Sequence, residues 1–167
     1  TMANHDNTFI GYQSGSGDWT GTASISNVAV GSGTMKGAMN ACNYNTAVGY
    51  VTATALTTGD QNTAIGSAAC NLMTTGKENV AVGYGALDIS TDVDSCVVLG
   101  VQACGTGDMT ADSDGTVAIG FQAAKALISG QENVYVGYKA GTQEQIGDNN
   151  TALGNNAMRT TGNAASS

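Results

Sequence analysis

The sequence predicts an all-β fold, a parallel β-solenoid of about nine coils with a 17-residue repeat, and three observations predict it. The stretch Asn62-Thr63-Ala64-Ile65-Gly66 returns seventeen residues later as Asn79-Val80-Ala81-Val82-Gly83. With the closing glycine as a ruler, copies end at Gly11, Gly31, Gly49, Gly66, Gly83, Gly100, Gly120, Gly137 and Gly154, spaced 20, 18, 17, 17, 17, 20, 17 and 17 residues apart. A fixed period of this size marks stacked supersecondary units. The composition agrees: 24 Gly, no Pro, 11% charged and 5% aromatic residues leave no run of long aliphatics at helical spacing. Small residues and short β-branched runs suit a solenoid, in which the core of each coil is thin. Finally, the columns of the repeat alternate with a period of two, the signature of a strand.

Each column has its own physical role. One residue before the glycine stands an aliphatic (Ile10, Val30, Val48, Ile65, Val82, Leu99, Ile119, Val136, Leu153), and three before it Thr or Val. These two columns share one side of a strand and are expected to lay a β-branched face against the core. Between them the residue is mostly Ala, as it is three after the glycine, which leaves room for a neighbouring strand or chain. Four before the glycine, seven of nine copies carry Asn, with Cys96 and Thr116 as exceptions. Stacked Asn side chains are expected to bond from coil to coil. The glycine itself marks a corner where φ is positive or a side chain does not fit. Gly59, Gly76, Gly130 and Gly147, seven before the next corner, read as an outer turn, and Thr160-Thr161-Gly162 as the start of a further coil.

The 167 residues form a single repeat domain, with regular coils over 45–100 and 116–158 and irregular insertions over 14–24 and 104–115. The first insertion carries Asp18 and the only Trp, Trp19. Trp19 is favoured as a plug at the end of the stack; as an exposed aromatic it would, with Asp18, be the candidate receptor contact. The second insertion holds Asp108, Asp112 and Asp114, the candidate ligands for Ca2+. The EF-hand pattern fails there, with Thr110 at the first acid and Phe121 at the closing Glu, so a solvated acidic loop is the preferred reading. Insertions lie outside the register of the stack, so recognition is expected in them, with Trp19 and Asp108 to Asp114 exposed. Shortening either to the 17-residue spacing should then reduce attachment without unfolding the trimer, and unchanged attachment after both deletions would mark the segment as a spacer.

The net charge of −8 argues against nucleic acid, and no stretch is long and apolar enough to span a bilayer. Cys42, Cys70, Cys96 and Cys104 match no zinc spacing and read as buried free thiols, with Cys96 and Cys104 the one pairing within reach. His5 is the only histidine and lies near a terminus, so no Ser-His or Cys-His arrangement is expected. Asp92 and Asp94 read as surface acids. No catalytic residue and no cofactor is expected. Tyr12, Tyr50, Tyr84, Phe121 and Tyr138 directly follow their corner glycines and read as packing between coils or chains.

The units Asn62-Thr63-Ala64-Ile65-Gly66 and Asn79-Val80-Ala81-Val82-Gly83 resemble the head repeats of trimeric autotransporter adhesins. With Thr74-Thr75-Gly76 and the 17-residue period, the repeat is still more similar to that of bacteriophage tail-fibre proteins. The resemblance spans Asn7 to about Gly162. It implies a left-handed β-roll in which three chains wind round one axis. It also implies a place on a virion tail fibre or, alternatively, on a bacterial cell surface. The physics points the same way. A lone coil with two short strands buries too little to order 17 residues at ~1–2 kcal/mol each, and a core shared by a homotrimer makes up the deficit. Val82→Asp is then expected to abolish folding. The expected function is a structural and adhesive one, presenting loops to a host cell-surface glycan or protein; an ice-binding solenoid and a glycan-cleaving spike are the remaining alternatives. The unfinished last repeat suggests a piece of a longer chain.

Overall fold

In a computed structural model, residues 4–19 and 21–159 are described; the expected further coil at Thr160-Thr161-Gly162 lies outside them. Nine three-residue strands each end at a corner glycine: β1 (Thr8–Ile10), β2 (Val28–Val30), β3 (Thr46–Val48), β4 (Thr63–Ile65), β5 (Val80–Val82), β6 (Val97–Leu99), β7 (Val117–Ile119), β8 (Val134–Val136) and β9 (Thr151–Leu153). They form one nine-stranded sheet in chain order, every neighbour parallel. Equivalent residues pair without a slip, as Ala64 with Ala81 and Ala81 with Val98. The protein is a β-solenoid, and the columns of the sequence are columns in space. At about 4.8 Å per coil the rod is roughly 40 Å long.

Each coil has one strand rather than the expected two. The reason is the backbone of the turns. In the coil of β5, Glu78, Gly85 and Leu87 have φ of 59°, 59° and 55°, and the same three positions are left-handed in every coil described. The left-handed pair two and four residues past the corner turns the chain sharply where the extended run would otherwise continue beyond the strand. The turns still bond from coil to coil: Ala53 donates to the Ala69 carbonyl at 2.9 Å, Ala55 to Asn71 at 3.0 Å and Thr57 to Thr74 at 2.9 Å. A non-glycine residue in this region costs about 1–2 kcal/mol, and only the neighbouring coils hold it there.

The inward face of the sheet reverses the expected assignment. The middle residue of each strand faces the chain's own core: Ala29, Ala47, Ala64, Ala81, Val98, Ala118 and Tyr135 are fully buried. The Thr/Val and aliphatic columns do share a side, but it is the outer one, and they are half-buried or exposed. The cause lies across the coil, where Met35, Leu56, Met73, Leu87, Met109 and Leu127 reach in from the turns and fill the interior. Opposite most of them the strand carries Ala. Where the strand residue grows, the turn shrinks. Phe9 faces Gly15, where a Cβ would come within 2.8 Å of its ring, and Tyr135 faces Gly141, where a Cβ would come within 2.3 Å of the ring.

The corner glycines meet both parts of their expected role, with φ between 124° and 147°. At Gly83 an added Cβ would stand 2.5 Å from the carbonyl oxygen of Gly100 in the next coil. Beside the corners runs the expected ladder. Asn45 Nδ2 donates to Asn27 Oδ1 at 3.1 Å, Asn62 to Asn45 at 3.0 Å and Asn79 to Asn62 at 3.0 Å. The same oxygens accept the backbone N–H of the next rung, so each buried amide is satisfied by stacking.

Two neighbouring glycines therefore separate space from conformation. Gly85 has φ 59° but nothing closer than 3.8 Å to an added Cβ, so Gly85→Ala should cost about 1 kcal/mol. Gly83→Ala should abolish the cooperative thermal transition seen by circular dichroism; similar melting of the two variants would refute the assignment of the corner. For the core, Gly141→Ala should destabilise strongly, and much less in a Tyr135→Ala background. A double-mutant cycle by chemical denaturation should give a coupling above about 1 kcal/mol, and additivity would show that the two sites do not share space.

Candidate functional site

The outer side of the sheet is an extended surface that none of the other described residues covers. It consists of the residues three before, one before and one after each corner glycine. None of these is charged in any of the nine coils, although the chain carries 13 acidic and 5 basic residues. Val28, Val30, Val48, Val82 and Val136 line it half-buried, and Ile65 is exposed. Leu153 and Tyr12 stand furthest out, at 77% and 74% exposure, and Tyr50, Ile10 and Tyr84 are also exposed. A parallel sheet is ordinarily covered on both faces, and here the described residues cover only the inner one. The outer face is an uncharged, largely β-branched and aromatic strip running the length of the rod.

The insertions are less open than expected. Trp19 is half-buried and packs edge-on to Phe9, with ring centroids 5.1 Å apart at 88°, so it plugs the first coil. Its expected exposure is corrected: the aromatic Phe9 in the strand of the first coil leaves a ring edge for it to close. Asp18 beside it is exposed. In the second insertion Asp108 and Asp112 are exposed, but Met109 and Ser113 are buried and Ala111–Ser113 forms a 3-10 turn. Asp114 is half-buried and accepts the Asp94 N–H at 2.7 Å. Among the described residues no three acidic, thiol or imidazole side chains are placed to hold a metal ion.

That bond belongs to a second ladder which the columns of the sequence did not announce. Six before the corner glycine, Asp60 accepts the Asn43 N–H at 2.6 Å, Asp94 that of Lys77 at 2.7 Å, and Asp148 that of Gln131 at 3.0 Å. Asp94 is thus a structural residue and not a plain surface acid. The signal was present as Asn or Asp at this position in five copies. The ladder has a cost where β6 meets β7. There Asp94 and Asp114 occupy successive rungs, with Asp92 and Asp112 beside them. Burial, and then these three carboxylates, raise the Asp114 pKa, partly offset by the Asp94 N–H.

The four cysteines are free and buried, as expected. Burial pushes the thiols of Cys42, Cys70 and Cys96 up to about 12, so at neutral pH they are inert apolar groups. His5 pairs with the Asp6 carboxylate at 2.6 Å on the surface, not with a hydroxyl or thiol. Phe121 and Tyr138 stack at 5.3 Å with Lys139 over both rings, an instance of the packing between coils expected for that column.

The fold and this strip define a β-solenoid repeat protein with one open apolar face. Comparison with protein-family models, curated proteins and solved structures finds no match.

A carboxyl whose folded pKa is raised above its unfolded value favours the fold when protonated. Its contribution is complete below the unfolded pKa and is lost as pH rises through the folded one. Asp114→Asn keeps an oxygen for the Asp94 N–H and removes the charge. The variant should melt higher than the parent at pH 7 and together with it at pH 3. Equal melting temperatures at pH 7 would show that the four carboxylates do not repel appreciably.

Proposed function

We propose that the chain is a structural and adhesive segment of a trimeric fibre or spike, of the tail-fibre kind, that holds a particle to a host surface. The observation that carries this reading is the uncharged outer face of the sheet. The aliphatic column before each corner glycine runs unbroken through nine coils and needs a cover as regular and as long as the rod itself. A second and a third copy of the same chain supply one, because identical coils repeat at identical heights. With the faces turned toward a common axis, the Val and Ile columns become a shared core. The charged residues, which all lie outside that strip, stay in water. The chain's own Met and Leu interior supports each coil, so association adds to a core that already exists.

A rod of stacked coils suits a fibre for mechanical reasons. Every coil is tied to its neighbours by backbone bonds along all its sides, and the polar ladders run parallel to the axis. The resemblance of the repeat to tail-fibre and adhesin heads supports the same role. Virion attachment is proposed ahead of the bacterial cell surface because the Thr-Thr-Gly turn and 17-residue period are closer to the fibre repeats.

The outward position of Val82 changes the expectation for its replacement. Val82→Asp leaves the interior of its coil intact and places a charge on the strip that the partner chains would cover. Light scattering on a size-exclusion peak should report three chains for the parent and a lower mass for Val82→Asp. A one-chain mass for the parent at micromolar concentration would overturn the trimer.

A further inference from the structure

Both polar ladders change at the same place in the rod. The Asn ladder presents an amide oxygen to the backbone N–H of Asn27, Asn45, Asn62, Asn79 and Cys96, and again to that of Asn150. Between these runs Cys96 and Thr116 hold the position without an amide. Among the described residues no side-chain oxygen accepts the N–H of Thr116 or of Asn133, so the coil of β7 lacks this tie on both sides. That coil also carries the second insertion, with 20 residues from Gly100 to Gly120.

The carboxylate ladder turns unfavourable at the same joint. Six before the corner glycine, Asp60 is followed by Lys77 and Asp148 is preceded by Gln131, but Asp94 is followed directly by Asp114. The Asp114 carboxylate accepts the Asp94 N–H at 2.7 Å, which holds the two acids on adjoining rungs. Asp92 in the coil of β6 and Asp112 in the coil of β7 stand close enough to repel it. From the coil of β8, the N–H of Glu132 donates to the Asp114 carbonyl at 3.0 Å, which brings a further acid to the next rung. Burial keeps the Cys96 thiol beside them neutral. The nearest cation of the column, Lys77, lies beyond Asp94, to which its N–H donates.

We propose that the rod parts here first: at neutral pH β7–β9 open as one unit while β1–β6 stay folded, and protonation of the carboxylates closes the joint. The stability of a stack is a sum over coils and over the contacts between neighbours, so its weakest contact sets where it divides. Burial and then the neighbouring acids raise the Asp114 pKa. A carboxyl shifted that way favours the fold when protonated, so closure is complete below the ordinary carboxylate range and is lost as pH rises through the raised value. The joint is built from bonds within one chain, and it stands whether the parent is one chain or three.

Native-state hydrogen exchange on the full chain tests this, because the corner glycines are matched probes. The N–H groups of Gly66, Gly83, Gly100, Gly120 and Gly137 each donate at 2.8 Å to the last residue of the preceding strand. Differences in protection among them therefore report how coils open and not how well each bond is made. At pH 7, after correction for intrinsic rates, protection should fall at least about tenfold between Gly100 and Gly120 and be alike at Gly120 and Gly137. The step should shrink at pH 4, and Asp114→Asn should shrink it at pH 7. Cys96→Asn combined with Thr116→Asn supplies both missing amides and should shrink it at either pH. Equal protection at all five glycines overturns the proposal, as does a steady decline toward Gly154, which would be fraying from the end. A step that neither acid nor Asp114→Asn alters overturns it too. Should the double variant not fold, the pH series and Asp114→Asn decide alone.

Discussion

Successive coils approach so closely at their corners that the carbonyl of one glycine occupies the space a Cβ on the preceding glycine would need. That approach is the constraint from which the rest of the rod follows. It requires glycine at one position in every coil, and it places each strand in register with the next. It also holds the left-handed residues of the turns in conformations they would otherwise leave. The cost of those conformations recurs in every coil and is met by bonds to the coils on either side. An isolated coil has no such bonds, so the rod is cooperative along its axis even though each coil touches only its neighbours.

Stacking at one fixed rise also makes every column a ladder, whether or not that is favourable. Asn gains from it, because each amide both accepts from the rung ahead and donates to the rung behind. Asp gains a backbone N–H from the coil before, but it meets its own kind where the column repeats, as at Asp94 and Asp114. There the Asn ladder is also interrupted, by Cys96 and Thr116. The joint between β6 and β7 thus lacks one ladder and carries like charges on the other. It coincides with the second insertion, where the polypeptide departs by three residues from the 17-residue rhythm.

The two sides of the sheet divide the work. Inside, turn residues supply the bulk and the strand supplies Ala, so the core belongs to one chain. Outside, the strand presents Val, Ile and Leu with nothing of its own chain over them. Methionine and cysteine suit the interior because its width changes from coil to coil, and an unbranched thioether or a small thiol fills what remains.

The sequence by itself determined the architecture: nine coils, the corner glycines, the parallel order of the strands and the Asn ladder. All of these follow from a period, and a period is legible without any coordinates. It also carried the exchange of Phe9 with Gly15 and of Tyr135 with Gly141, although only the packing gives that exchange a meaning. The sequence left undecided which way each strand faces, because alternation sets two sides apart without saying which is interior. The tertiary structure decided that, through the long side chains that reach in from the turns and leave most strands room only for Ala. It likewise decided that Trp19 closes the first coil, because the ring it packs on sits in the strand of that same coil. The Asp ladder was visible only once one coil's carboxylates lay beside another's N–H groups. Such pairings join residues 17 or 20 apart on turns, where side-chain direction depends on left-handed backbone angles that no local pattern of residues announces.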